Sequence, residues 1–283
     1  MTEGTSPTIW IDVAGGRLAA QDQGPRDGST ILLVHSAIVN RRSWDPVVPL
    51  LTKAGYRVIR YDMRGFGDST TEKVEFVAHQ DLLAVLDFFD VGHAAVGGNS
   101  MGAHFAIDAV LAAPDRFTAL MWVGGGINGF DRDALPGEDE LFEAEGAAEE
   151  AGDWDLAAEL DTRIWVDGWK DGVNQPATRV DPEVRAAIKA WDRELLEPGR
   201  EYGDRIKAAP AIDRLGEIEV PTLVAIGGLD TSGTRAAAEV LAETVEGARL
   251  VHFPNAAHII GMEAPDELAA TMLDFLASLQ RRA

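Results

Sequence analysis

The chain has 283 residues, with 25 Lys+Arg against 47 Asp+Glu, and its net charge of −22 argues against nucleic acid or an anionic membrane surface as partner. It has no cysteine, which rules out disulfides, a thiolate nucleophile and a cysteine-ligated metal. No apolar run approaches the ~18 residues of a membrane span, and Thr2–Trp10 lacks the basic start and apolar run of a secretory signal, so a cytoplasmic protein is expected.

Thr8–Val13 and Arg17–Gln21 flank Ala14-Gly15-Gly16 and read as a β-hairpin. After the polar turn Asp22–Thr30, Ile31–Val34 is an apolar run too short for a helix and reads as a buried strand. The loop His35–Asp45 leads into a helix over Pro46–Ala54. A strand at Tyr56–Tyr61 then closes on the glycine-rich turn Asp62–Ser69, DMRGFGDS. Glu75–Phe89 has helical spacing, Ala94–Gly98 suits a buried strand, and apolar residues from Met101 to about Pro114 return to helical spacing. Ala119–Val123 is a further strand, broken by Gly124–Gly126. Strands alternating with helices predict parallel crossovers and an α/β class protein, its sheet covered on both faces.

From Ile127 to Pro210 the pattern changes: no strand is expected, the segment is acidic over Gly137–Asp161, and it holds Trp154, Trp165, Trp169 and Trp191. The alternation resumes with a strand at Val220–Ile226, a helix at Thr234–Thr244, a strand at Arg249–Phe253 and an amphipathic helix at Pro265–Gln280. Connections in such folds are typically ~5 residues. The expectation is therefore a core built from 1–126 and 211–283, with 127–210 inserted as a helical cap. No internal repeat is evident.

One stretch carries chemistry. Gly98-Asn99-Ser100-Met101-Gly102 has the form G-x-S-x-G between a strand and a helix. Glycines at both ends leave room for a sharp turn that projects the Ser100 hydroxyl clear of the backbone, at a helix N-terminus that favours developing negative charge. An ordinary capping serine is the alternative for Ser100.

The chain resembles the α/β-hydrolase superfamily from about Trp10 to Leu279, through the His35 loop, the Asp62–Ser69 turn, the Ser100 pentapeptide, Asp230 in AIGGLD and His258 in NAAH. The resemblance implies a mostly parallel central sheet flanked by helices. It also implies a triad in the order nucleophile, acid, histidine: Ser100, Asp230, His258. Loops beyond the strand C-terminal ends share one edge of such a sheet, so the three can meet there. The resemblance further implies an oxyanion hole from the Met101 N–H and a residue of the loop after Val34. Relatives read His-Gly-x there; this chain has His35-Ser36-Ala37, which assigns the second donor to Ala37 and leaves Ser36 able to add a hydroxyl.

Asp230 has two competitors: it could cap a helix beside Thr231 and Ser232, or the acid could follow the strand ending near Val123, where Asp131 stands further out. His35 reads as structural, His104 as a buried hydrogen-bonded residue with a place facing the pocket as its alternative, and Asp62 and Arg64 as turn-fixing. Neither a metal nor a cofactor is expected: ligand spacings are absent, and Gly65 and Gly67 lack the dinucleotide-binding spacing.

For the substrate, Trp122 at a strand end and Trp165 in the inserted segment are expected to line an apolar pocket with Ser36, although each tryptophan could instead anchor the cap. A capped nucleophile favours a small or medium molecule, hence a carboxylic ester or lactone. The resemblance leaves a runner-up, C–C hydrolysis of a diketone, because GNSMG with Pro114-Asp115-Arg116 is similar to ring-cleavage-product hydrolases. Against it stand the HSAIVN loop and Ile259 after His258. Dehalogenase and epoxide hydrolase relatives carry Asp where this chain has Ser100. A non-catalytic binding protein is the remaining class. A monomer or homodimer is expected.

Overall fold

Strand β3 (Thr30–Val34) shows how the core is divided: Leu32 and Val34 enter one buried apolar cluster, Ile31 and Leu33 another. A strand apolar on both faces needs cover on both sides of its sheet. The structure, a computed structural model that describes residues 6–281, supplies it. The main sheet runs β1 (Ile9–Val13), β2 (Gly16–Gln23), β4 (Arg57–Tyr61), β3, β5 (Ala94–Asn99), β6 (Phe117–Val123), β7 (Thr222–Gly227), β8 (Arg249–Phe253). The pairs β1–β2 and β2–β4 are antiparallel, and the remaining neighbours along this path are parallel.

Helices α2 (Ala78–Phe88), α3 (Met101–Ala112) and α7 (Ser232–Thr244) bury Leu82, Phe105 and Leu241 on one face. Helices α1 (Val48–Lys53) and α9 (Pro265–Gln280) bury Leu51, Met272 and Phe275 on the other, with α8 (Ile260–Glu263) just before α9. The parallel strands all point their C-terminal ends to one edge of the sheet, where the loops after β3, β5, β7 and β8 gather.

Between β6 and β7 the chain forms α4 (Pro136–Ala151), α5 (Trp154–Thr162) and α6 (Pro182–Leu195), with a π-helical turn at Arg163–Asp167 after α5. Local chemistry starts two of these helices: the Asp153 side chain accepts from the Leu156 N–H, and the Asp181 side chain from the Glu183 and Val184 N–H groups. The expectation of no strand between Ile127 and Pro210 needs correcting in detail. Trp169–Lys170 pairs with Val173–Asn174, and Asp204–Arg205 pairs in parallel with Glu75–Phe76. Two residues are too few to carry an alternating pattern, so neither pair is legible locally. The second pairing also explains why α2 starts at Ala78 rather than Glu75. Among the described residues, no helix is long and apolar enough to cross a membrane.

Candidate active site

Ser100 is the residue between β5 and α3, and it has φ +56° and ψ −118°. A side-chain-bearing residue held there stores on the order of 1–3 kcal/mol of strain, so its surroundings must hold it in place. They do so at close quarters. A Cβ on Gly98 would lie 2.3 Å from the Gly102 carbonyl, and one on Gly102 would lie 2.4 Å from the Val34 oxygen. The Ser100 N–H donates to the Val123 carbonyl at 3.0 Å, pinning the turn to β6.

Asp230 follows the end of β7 and His258 the end of β8. Both are buried, and the His258 Nδ1 lies 3.0 Å from Asp230 Oδ1 and 2.9 Å from Oδ2. A carboxylate accepts, so Nδ1 carries the proton and Nε2 is left as the basic nitrogen. Asp230 Oδ1 also accepts the Thr231 N–H at 2.7 Å. The cap of α7 is Thr231, not Asp230. Asp131, the other candidate acid, is exposed, and among the described residues its side chain accepts only the neighbouring Arg132 N–H.

The imidazole is braced from two sides. Asn99 Nδ2 donates to the carbonyls of Val123 and His258, each at 3.0 Å, tying the end of β5 to the His258 loop. The His258 N–H donates to the Trp165 carbonyl at 3.2 Å, and the Trp165 and His258 rings stand 4.5 Å apart, inclined at 41°. Neither brace was read from the sequence. Asn99 sits inside the motif, and its amide position was the available signal; Trp165 offered only its residue type.

The loop after β3 is fixed by His35, which is fully buried. Its Nδ1 donates to the Ser36 carbonyl at 2.8 Å and its Nε2 accepts the Met63 N–H at 3.0 Å. Burial lowers the His35 pKa, in keeping with this neutral ring. The turn below is held by Asp62, which accepts from the Arg41 N–H at 2.7 Å, from the Asp68 N–H at 2.9 Å and from the Arg41 guanidinium. Arg64 pairs with Asp81 at 2.6 and 2.8 Å. No backbone carbonyl accepts the amides of Met101 or Ala37 among the described residues.

Two cavities open on Ser100, Trp165 and His258. One, of about 590 Å³, also carries Met101, His104, Arg132, Arg205 and Lys207. The other, of about 400 Å³, is also lined by Ser36 and Ala37. His104 therefore faces the wider cavity, 3.4 Å from Asp108, rather than the core. The Arg205 guanidinium lies over the Phe105 ring and 3.1 Å from the Met101 sulfur.

Trp122 corrects an expectation. It is fully buried in the cluster between the sheet and α3 and lines neither cavity. Side chains in the body of a strand stand perpendicular to the sheet, so Trp122 points into a layer instead of over the edge. Of the four tryptophans between 127 and 210, only Trp165 reaches the cavities; Trp169 is buried and bonds the Ile164 carbonyl, and Trp191 packs beside α6 neighbours.

Residues 31–271 match the model of the alpha/beta hydrolase family. The chain is 26% identical over 271 residues to 3-oxoadipate enol-lactonase 1 of Acinetobacter baylyi, covering 94% of this chain and 95% of that protein. It is 27% identical to rhodomycin D methylesterase DauP of a Streptomyces species, covering 94% and 97%. The solved enol-lactonase of Burkholderia xenovorans LB400 superposes with a TM-score of 0.76 at 26% identity, covering 95% of this chain and all of that one. With a strand-to-helix serine, a buried Asp–His pair and this match over most of its length, the chain belongs to the alpha/beta hydrolase family.

Proposed function

We propose that the protein hydrolyses a small or medium carboxylic ester or lactone through Ser100, His258 and Asp230. The observation that carries this reading is that Ser100 and His258, the latter oriented by Asp230, open on the same cavities. Enol-lactonase and methylesterase relatives support it.

His258 Nε2 takes the Ser100 proton as Oγ attacks the substrate carbonyl carbon. The oxyanion that forms is met by the Met101 and Ala37 amides. Such a donor is typically worth ~10²–10³ in turnover. The C–O bond then breaks, and the leaving alkoxide takes the proton from the imidazolium that Asp230 stabilises. In a lactone this hydroxyl stays on the acyl chain. Water attacks the acyl-enzyme, gives a proton to Nε2, and Ser100 leaves with that proton as the acid departs. Residues 127–210 act as the lid that limits access and sheds water.

The test is turnover of p-nitrophenyl acetate and butyrate, a lactone panel and vinylogous diketones by wild type and Ser100→Ala. Ester or lactone hydrolysis that falls on the order of 10⁵–10⁶-fold in a folded Ser100→Ala variant is expected. Retained turnover rejects the assignment, and a preference for the diketones moves it to C–C cleavage.

A further inference from the structure

The wider cavity holds a second carboxylate–imidazole pair, one that the reaction leaves unused. His104 and Asp108 stand one turn apart on α3, with His104 Nε2 3.4 Å from Asp108 Oδ2. Asp108 is 7% exposed, and its Oδ1 has no hydrogen-bond partner among the described residues. His79, at the start of α2, and Arg205 lie close enough to feel its charge. A carboxylate accepts, so a neutral His104 ring carries its proton on Nε2 and offers Nδ1 as an acceptor. That nitrogen borders open space. Beyond its chain neighbours, a Cβ built on Gly126 would meet only His104 Nδ1, at 4.0 Å, and both residues line the wider cavity. The His104 side chain is 29% exposed, so a ligand can reach it and cover it.

Its place in the helix sets the reach. The His104 N–H donates to the Ser100 carbonyl at 3.1 Å, one turn below. Four residues of helix advance about 6 Å. A hydroxyl three bonds from the carbonyl carbon under attack covers about the same span once its ~2.8 Å hydrogen bond is added. Charge does not choose the group: Arg132, Arg205 and Lys207 share the lining with Asp108, Asp131 and Glu138. Glu138 is already met by the Leu135 and Ser232 donors. What remains near Ser100 is an uncharged acceptor with a carboxylate behind it, and a hydroxyl is the small neutral group that satisfies it. A site built to bond a hydroxyl discriminates against an analogue lacking it, because its own polar groups are then covered and left unpaired.

We propose that His104, held by Asp108, accepts a hydrogen bond from a hydroxyl on the acyl chain, so that the preferred substrate is a 3-hydroxyacyl ester or a lactone with a hydroxyl at the same remove from its carbonyl. His104 then sets specificity and takes no part in bond breaking. The hydroxyl site stands on the wider cavity alone; the substrate class rests on the hydrolase reading above.

The test compares the p-nitrophenyl esters of butyric, 3-hydroxybutyric and 3-methoxybutyric acid at about pH 8, above the ordinary imidazole range. The methoxy group keeps an oxygen in place and has no hydrogen to donate. Within each protein, kcat/KM for a substituted ester is divided by that for the butyrate, and the ratio is compared between wild type and two variants, His104→Phe and His104→Ala, whose thermal midpoints report folding. The comparison cancels the intrinsic reactivity of each ester. The hydroxy ratio should be about 3–10-fold higher in wild type than in either variant, and the methoxy ratio should show no such lead. A hydroxy ratio that is the same in wild type and a folded variant, or an equal lead for the methoxy ester, overturns the proposal and leaves His104 and Asp108 as a structural pair. Binding keeps the two readings apart. Titrated calorimetrically into Ser100→Ala, ethyl 3-hydroxybutyrate should bind more tightly than ethyl 3-methoxybutyrate and lose that lead in the Ser100→Ala, His104→Ala double variant. A folded Ser100→Ala variant that still turned over the p-nitrophenyl esters would instead sink the hydrolase reading, with this titration still deciding the hydroxyl site.

Discussion

The Trp165 carbonyl accepts the backbone N–H of His258 at 3.2 Å while the Trp165 ring lies 4.5 Å from the imidazole, so one residue of the segment between β6 and β7 holds the histidine by main chain and side chain together. The residue sits in the π-helical turn Arg163–Asp167, a local widening that is often found at functional sites.

Trp165→Ala should therefore lower kcat/KM for p-nitrophenyl butyrate on the order of 10²-fold, through a misplaced imidazole, with a small change in thermal midpoint. Trp165→Phe keeps a ring on His258 and loses the indole N–H bond to Asp161, so it should retain most of the activity. Equal losses in both variants would assign the effect to the Asp161 bond instead of the ring contact.

Asp230 meets Nδ1 with both oxygens and has the Thr231 N–H as its further donor, so it fixes which imidazole nitrogen is basic. Asp230→Asn preserves the shape and allows the wrong tautomer. Its kcat should fall ~10⁴-fold with the fold retained by circular dichroism. A loss of tenfold or less would show that another carboxylate supplies the acid.

Glu138 is fully buried at the start of α4 and accepts from the Leu135 N–H at 3.0 Å, the Ser232 N–H at 2.8 Å and the Ser232 hydroxyl at 2.5 Å. It joins α4 to the first turn of α7, two residues from Asp230. Charge-assisted bonds of this kind contribute about 1.5–3 kcal/mol each to stability, and the unpaired donors left behind add to the loss. Glu138→Ala should lower the unfolding midpoint in urea and speed proteolysis between 127 and 210; an unchanged cleavage rate would mean the segment is anchored elsewhere, as at the Arg179–Glu263 pair.

Burial raises the carboxyl pKa values of Asp161 of α5 and its neighbour Asp192 of α6, and the charge of Asp161 adds to the rise at Asp192. Burial also pushes Glu145 of α4 up to about 7, with Asp161 and Glu149 adding repulsion. The folded state then binds more protons than the unfolded chain between the ordinary carboxylate range and these raised values. Stability is full below that range and is lost as pH rises through the raised values. The thermal midpoint should fall between about pH 5 and pH 8 in wild type and fall less in Asp192→Asn. Parallel curves for the two proteins would refute the assignment to this pair.

How far the chain reveals its fold and site locally follows the range of the forces involved. The Ser100 turn was legible because it is local: two glycines, each two residues from the bend, demand close backbone approach wherever the chain is placed. The strands β3, β5, β6 and β7 were legible because apolar runs need burial on both faces, and that same requirement sets them in the middle of the sheet. The pairing of Asp230 with His258 was accessible only through family order, since 28 residues separate them. Trp122 and Trp165 are the same residue type, and nothing near either in the chain separates the one packed on a sheet face from the one lying on the imidazole. Asp161 and Asp192 look like ordinary acidic positions of an acidic segment. Their meeting depends on how α5 packs against α6, a contact between distant parts of the chain that is settled by side-chain fit and by the exclusion of water. Local backbone geometry and alternation of burial thus reach the nucleophile and the sheet, while the walls and charges of the cavities exist only once separate helices have docked.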